Sequence, residues 1–141
     1  MIFQLVLGSV IIGITALAAA MLWAGLEAIL VRSHGWMTRP PHGPKLMAMV
    51  SLAVLCTLLM MTASVWIWAV AFWILRAFES FEASLYFSLV VFTTLGFGDV
   101  LLPAEWRLLG GLAAANGLLS FGVLTAILVE TLRETRSRQR G

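Results

Sequence analysis

The sequence predicts an all-α membrane protein in which three transmembrane helices accompany one shorter helix that enters the membrane and turns back. Apolar residues make up 61% of the 141 residues and charged residues only 11%, against roughly 25% charged residues in ordinary soluble domains. Three apolar runs are long enough to cross a bilayer, which takes about 20 residues. A fourth run, residues 81–93, is too short to cross and predicts a re-entrant helix.

The first apolar run predicts an extra N-terminal transmembrane helix at residues 1–32. Ala18-Ala19-Ala20 resembles a signal-peptide cleavage site, but no Lys or Arg precedes Arg32 and the run continues well past Ala20. A secretory signal has a basic start and a short apolar core, so we expect this helix to be retained. Glu27 lies close to Arg32, and we expect its carboxylate to reach the interface.

The remaining segments follow in chain order. Residues 33–45 predict a cytoplasmic loop, because prolines and glycines interrupt a helix there. The second apolar run predicts a helix at 46–76 and the third a helix at 106–132. A basic tail occupies 133–141, and the re-entrant helix at 81–93 lies between the second and third spans.

Basic residues predict the orientation of the chain. Seven of the nine Lys and Arg residues lie in the first loop, at its border (Arg32) or in the C-terminal tail, and only Arg76 and Arg107 flank the re-entrant region. Lys and Arg concentrate in cytoplasmic loops. We therefore expect a multi-pass protein of the plasma (inner) membrane, with the C-terminus in the cytoplasm and the N-terminus and re-entrant region outside. The basic tail either contacts membrane lipids through their anionic headgroups or serves only as the orientation signal.

The run TTLGFGD, residues 93–99, carries the chemistry. Gly96 and Gly98 alternate with residues that have side chains, and glycine readily adopts the positive φ that other residues avoid. A backbone that alternates in handedness turns successive carbonyls to the same side. One such ribbon cannot surround an ion, but four around an axis can, and rings of carbonyls replace the hydration shell of a cation. Non-helical backbone at membrane depth is tolerated where it lines such a path.

This run, placed behind a re-entrant helix and between two spans, resembles the signature of tetrameric potassium channels. The resemblance covers about residues 48–132 and implies a homotetramer that conducts K⁺ passively through an axial filter at 94–99. It assigns the ion-coordinating carbonyls to four residues, with the Thr94 hydroxyl as the innermost ligand. These residues are Thr94, Leu95, Gly96 and Phe97.

The resemblance also assigns supporting roles. Gly98 permits the outer turn of the filter, and Asp99 lies behind the filter, where the Tyr86 hydroxyl is placed to bond it. Val90 stands where some family members have a glutamate, so no carboxyl pair forms there. In the third span, Gly117 is either a gating hinge, as in the family, or a site of close helix packing. Asn116 either faces the cavity or makes an inter-helix hydrogen bond.

Two residues depart from the family pattern. Leu95 replaces a β-branched residue and so loses stiffness at χ1, and Phe97 replaces the commoner tyrosine and its hydroxyl. Both changes predict a softer filter. A non-selective cation channel of the same architecture is therefore the first alternative, and a non-conducting membrane scaffold is the second.

An enzyme is not expected. Gly96-Phe97-Gly98-Asp99 also fits the GxGD pattern of intramembrane aspartyl proteases, but these need two aspartates as acid and base. The chain has a single aspartate, Asp99. Its one cysteine, Cys56, supplies neither a disulfide nor a cysteine-rich metal site. We expect no cofactor other than the permeant K⁺ and no nucleic-acid partner.

Overall fold

The computed structural model describes residues 1–32 and 42–140, which form four α-helices. Within that part of the chain, three helices are long and apolar enough to span a membrane, over Ile2–Ile29, Met47–Ile74 and Ala104–Glu130. The predicted all-α membrane fold is confirmed. The helices are α1 (Ile2–Arg32), α2 (His42–Ile74), α3 (Phe81–Phe92) and α4 (Arg107–Arg140), and a 3-10 turn at Ala104–Trp106 leads into α4.

Helix α2 differs from the sequence prediction at both ends. It begins at His42, inside the predicted loop, because Pro44 falls in the first turn, where a missing backbone N–H breaks no helical bond. It ends at Ile74, two residues early. Arg76 then adopts a left-handed φ of 52°, a conformation common just beyond helix ends. The rest of the predicted loop, residues 33–41, lies outside the described residues.

Helices α3 and α4 also differ in length from the prediction. Helix α3 ends at Phe92, one residue before its predicted end. Helix α4 begins at Arg107 and continues to Arg140, so the predicted basic tail is helical up to that residue. The letters RETRSRQR contain neither glycine nor proline, and Arg, Glu and Gln are good helix formers. A basic segment therefore extends the third span as one helix.

An aromatic core holds α3 against α2 and α4. Phe72 of α2 is fully buried, and its ring centroid lies 5.3 Å from that of Phe87 on α3. Phe92 at the end of α3 and Leu109 of α4 are also fully buried and belong to the same cluster. Dispersion contacts of this density fix side chains in one arrangement. The short helix α3 therefore has a fixed position between its two long neighbours.

Helix α1 runs parallel to α4. Near its start, Gly8 packs against Leu112, and further along Thr15 bonds Asn116. Near its end, Leu26 packs in one buried cluster with Leu124. The contacts advance in the same direction along both helices. In a chain with three spans, the first and third must cross the membrane in the same direction, so this packing agrees with the three-span topology.

Candidate functional site

Helix α3 reaches only part of the way along its neighbours. Its first residue, Phe81, lies beside the C-terminal end of α2, with ring centroids 5.7 Å from Trp66 and 5.9 Å from Trp73. Its last residue, Phe92, contacts Gly117, near the middle of the span Ala104–Glu130. Helix α3 therefore starts beside the end of the second candidate span and ends about halfway along the third, as expected of a re-entrant helix.

The start of α3 is fixed by a serine cap. Ser80 has extended backbone angles, φ −123° and ψ 153°, and its hydroxyl oxygen accepts a hydrogen bond from Ala83 N at 3.1 Å. Glu82 lies in the first turn, where the helix dipole favours a carboxylate. The sequence analysis did not identify Ser80. Its signal was present, because serine just before an apolar helical run is typical of an N-cap.

Past α3 the backbone alternates in handedness. Thr94, Gly96 and Gly98 have φ values of 58°, 60° and 76°, and Leu95 and Phe97 lie between them. Positive φ at the two glycines is what the sequence led us to expect. Thr94 extends the alternation by one residue, and positive φ is strongly disfavoured for a β-branched side chain. Thr94 lies just past the end of α3, where a left-handed residue commonly closes a helix, although the position is usually glycine.

The amide groups of the ribbon face the end of α3. Thr94 N donates to Val91 O at 2.9 Å and Leu95 N to Val90 O at 2.9 Å. Gly96 N makes a longer bond to the same Val90 oxygen, at 3.4 Å. Within the described residues, no hydrogen bond is accepted by the carbonyl oxygens of residues 94–97. Residues 94–97 are all exposed, and exposed carbonyl oxygens without a protein partner can coordinate a cation.

Asp99 is bonded to the re-entrant helix. Tyr86 Oη donates to Asp99 Oδ2 at 2.6 Å, a short distance typical of a bond to a carboxylate. This bond lowers the pKa of Asp99 below its ordinary value and raises the pKa of Tyr86. It ties the end of the ribbon back to α3. Val90 is buried and offers no second carboxyl group to this pair.

Comparison with known families agrees with this geometry. The model of a family described as ion channel matches residues 54–134, a segment that contains most of α2, all of α3, the ribbon and most of α4. The chain belongs to the ion channel family. No curated protein and no solved structure gives a significant match to the chain. Family membership points to ion transport rather than to an enzyme.

The ribbon of the channel is exposed in a single subunit. Leu95 is 57% exposed and Phe97 66% exposed. On α3, Leu89 is 51% exposed, although this helix lies between two long helices. These large apolar side chains are therefore not covered by the rest of the chain.

Gly117 is the point where α4 contacts the end of α3. A β-carbon placed on Gly117 would lie 2.7 Å from the Phe92 carbonyl carbon, 3.0 Å from its Cα and closer still to its carbonyl oxygen. These are backbone atoms, so no side-chain rotation relieves the contact. Of the two roles left open for Gly117, the close-packing role has direct structural support.

Asn116, the residue before Gly117, makes an inter-helix hydrogen bond. Its Nδ2 donates to Thr15 Oγ1 on α1 at 2.9 Å, and Asn116 and Thr15 are 3% and 2% exposed. Of the two alternatives for Asn116, the structure contains the inter-helix bond. The sequence analysis did not identify Thr15 as its partner, although a lone polar residue in an apolar span is a recognisable signal.

No cluster of His, Cys, Asp or Glu that could hold a metal ion occurs in residues 1–32 and 42–140. Glu27 is exposed on α1, and Cys56 is a free thiol in α2.

Proposed function

We propose that the chain is one subunit of a homotetrameric, potassium-selective channel of the plasma (inner) membrane. Four copies of the ribbon surround an axis, and the carbonyls of Thr94, Leu95, Gly96 and Phe97 coordinate K⁺, with the Thr94 hydroxyl at the inner end. The N-terminus faces outside and the C-terminus the cytoplasm, as the distribution of Lys and Arg favours. Conduction is passive, and K⁺ is the only ligand that the filter requires.

One observation carries the proposal: the alternation of positive φ at Thr94, Gly96 and Gly98. Because the amides of residues 94–96 are bonded to the end of α3, the carbonyls on the same ribbon are available on the other side. Several carbonyl rings in a row replace the hydration shell of K⁺ and permit knock-on conduction between adjacent sites.

The electrostatic field at the C-terminal end of α3 also favours a cation. A helix C-terminus carries about half a negative charge, and this one lies at about the middle of the membrane, beside Gly117. Four such ends directed at a common axis favour a cation where the lipid environment would otherwise exclude it. The exposed side chains of Leu95 and Phe97 are the surface that neighbouring subunits would cover.

The test is cation flux through purified protein in liposomes. Vesicles loaded with KCl or NaCl are compared under matched gradients, with Ba²⁺ as the blocker and native mass spectrometry as the measure of subunit number. We expect a tetramer and a Ba²⁺-sensitive K⁺ flux far above the Na⁺ flux. Gly96→Ala abolishes this flux, whereas Gly111→Ala, on an exposed face with no atom near the new β-carbon, retains it.

Two residues of the ribbon support a second candidate, a non-selective cation channel. Leu95 lacks β-branching, and Phe97 has no hydroxyl with which to bond the surrounding protein. Equal K⁺ and Na⁺ flux through a verified tetramer would establish this alternative. In that case Phe97→Tyr should restore discrimination. Absence of flux from a verified tetramer across several lipid compositions and pH values would favour the non-conducting scaffold.

A further inference from the structure

Helix α1 is attached to α4 by buried polar contacts as well as by apolar packing. Thr15 Oγ1 accepts from Asn116 Nδ2 at 2.9 Å and lies 3.1 Å from Asn116 Oδ1. The Thr15 hydroxyl also reaches the carbonyl of Ile12 in its own helix at 2.9 Å. Both side chains are almost completely buried. A buried amide in a membrane span is retained only with a partner, because lipid offers no replacement.

A second polar contact lies at the N-terminal ends of α1 and α4. Gln4 of α1 accepts a hydrogen bond from Leu109 N at 3.2 Å and donates from its Nε2 to the carbonyl of Glu105. Leu109 N belongs to the first turn of α4, where amides have no intrahelical partner. A side chain of α1 therefore caps α4, and the two contacts fix both the height and the rotation of α4 relative to α1.

The position of Asn116 connects this attachment to the pore. Asn116 immediately precedes Gly117, the residue that contacts the Phe92 backbone at the end of α3. Phe92 is followed within two residues by the strained Thr94. A rotation or tilt of α4 at this turn changes the contact with α3 and also stretches the bond to Thr15.

We propose that α1 is a gating element of the channel and that Thr15 and Asn116 are positioning residues that hold α4 in the arrangement seen here. The inference rests on the proposed channel function. The hydrogen bond favours one arrangement of α4 over any in which its turn at residues 116–117 has moved. Membrane-buried hydrogen bonds contribute about 0.6 kcal/mol on average and about 1.7 at most, so the equilibrium between the two arrangements shifts by about three- to twenty-fold when the bond is removed.

The test is a double-mutant cycle read out as single-channel open probability. Thr15→Val and Asn116→Leu each remove the bond while keeping the number and branching of the side-chain heavy atoms. Each single variant shifts the open-to-closed ratio by about three-fold or more, and the double variant shifts it no further than the larger single variant does. The ratio of K⁺ to Na⁺ permeability stays unchanged, because the ribbon itself is not altered.

Thr62→Val is the matched control. Thr62 is an exposed threonine of α2 whose hydroxyl bonds only the Leu58 carbonyl of its own helix, at 2.9 Å. It should leave the open-to-closed ratio unchanged and combine additively with Asn116→Leu. Additive effects of Thr15→Val and Asn116→Leu, or singles without a gating effect, would overturn the inference while leaving the channel function intact. A wild-type protein that conducts nothing would instead refute the channel function and the gating role with it.

Disulfide crosslinking tests the packing without reference to conduction. The β-carbon position of Gly8 lies 3.2 Å from Leu112 Cβ, close to the separation of about 3.5–4.5 Å found in disulfides. In a Cys56→Ala background, Gly8→Cys with Leu112→Cys should crosslink on oxidation within one subunit and run as a monomer on a denaturing gel. A ladder of crosslinked oligomers, or no crosslink, would overturn the attachment of α1 to its own α4.

Discussion

Substituting Gly117 by alanine tests the contact between α4 and the end of α3. The new β-carbon would lie 2.7 Å from the Phe92 carbonyl carbon and 3.0 Å from its Cα, whereas carbon atoms in contact are separated by about 3.5–4.0 Å. Relief therefore requires α4 and the end of α3 to separate by about 1 Å. Both sides of the contact are helix backbone, so the movement involves whole helices.

The expected cost follows from two opposing effects. Alanine in place of glycine inside a helix gains about 1 kcal/mol of helix propensity. Overpacking a well-filled site costs about 1–3 kcal/mol and sometimes more, and here the clash is with backbone, so we expect the upper end of that range. The net destabilisation is about 2 kcal/mol per subunit, and the displaced end of α3 carries the ribbon with it.

The assay compares Gly117→Ala with Gly111→Ala and Gly122→Ala. Within one subunit, neither Gly111 nor Gly122 has an atom within 4 Å of an added β-carbon, and both are exposed, so these variants add the same methyl group without the clash at Phe92. Thermal unfolding in detergent should show Gly117→Ala below wild type and both controls at or above it. Flux through the reconstituted protein should fall only in Gly117→Ala.

The result also separates the two roles of Gly117. A packing role predicts a loss of thermal stability together with a loss of flux. A role as a hinge alone predicts a stable protein with slower gating. If the melting temperature of Gly117→Ala equals that of Gly111→Ala, the close contact with Phe92 does not exist in the membrane-embedded protein.

Three further outcomes are expected. Gly96→Ala forces an L-residue to a φ of 60°, which costs about 1–2 kcal/mol in each subunit. We expect K⁺ flux to be lost while circular dichroism shows wild-type secondary structure, and normal flux would refute the ribbon geometry. Tyr86→Phe removes the bond to Asp99 and lowers the resistance of the filter to inactivation in recordings. Because that bond keeps the Asp99 pKa below 3.8 and the Tyr86 pKa above 10.0, the stabilisation by the bond is constant from pH 5 to 9 and is lost only below pH 3.8 or above pH 10.0. A difference between variant and wild type that changes within pH 5–9 would contradict this role of the bond. Ser80→Ala removes the cap of α3 and lowers the free energy of thermal unfolding by about 1 kcal/mol, whereas the control Ser51→Ala, at an exposed position of α2, changes it little. Equal losses of stability in the two variants would exclude a capping role for Ser80.

Much of the fold was predictable because lipid imposes few solutions. Every backbone group at membrane depth must be satisfied internally, so an apolar run of sufficient length forms a helix. The short run at 81–93 had no alternative except to turn back, and α3 occupies Phe81–Phe92. The errors lie at helix ends. There, Pro44 at the start of α2 and the charged residues after Leu132 allow a helix to continue into water.

The backbone of the candidate site was predictable where glycine identifies it. Positive φ at Gly96 and Gly98 follows from the freedom of glycine, and the sequence shows it directly. Thr94 at φ 58° could not be predicted, because threonine avoids that region. Its conformation belongs to the end of α3, because the bonds Thr94 N to Val91 O and Leu95 N to Val90 O together close a helix over one left-handed residue.

The partner of α1 could not be predicted, and the reason is physical. In water, a helix hides its apolar face against a core, so its pattern identifies the buried side. In a bilayer, the lipid-facing and protein-facing sides are both apolar, and association depends on close packing and a few polar contacts. Gln4 and Thr15 were visible as polar interruptions of the first span, and Asn116 as one of the third, but only the fold shows that they meet. When two parallel spans carry polar residues at the same depth in the membrane, these residues therefore indicate that the spans pack together, and this predicts where an additional helix lies beside a pore.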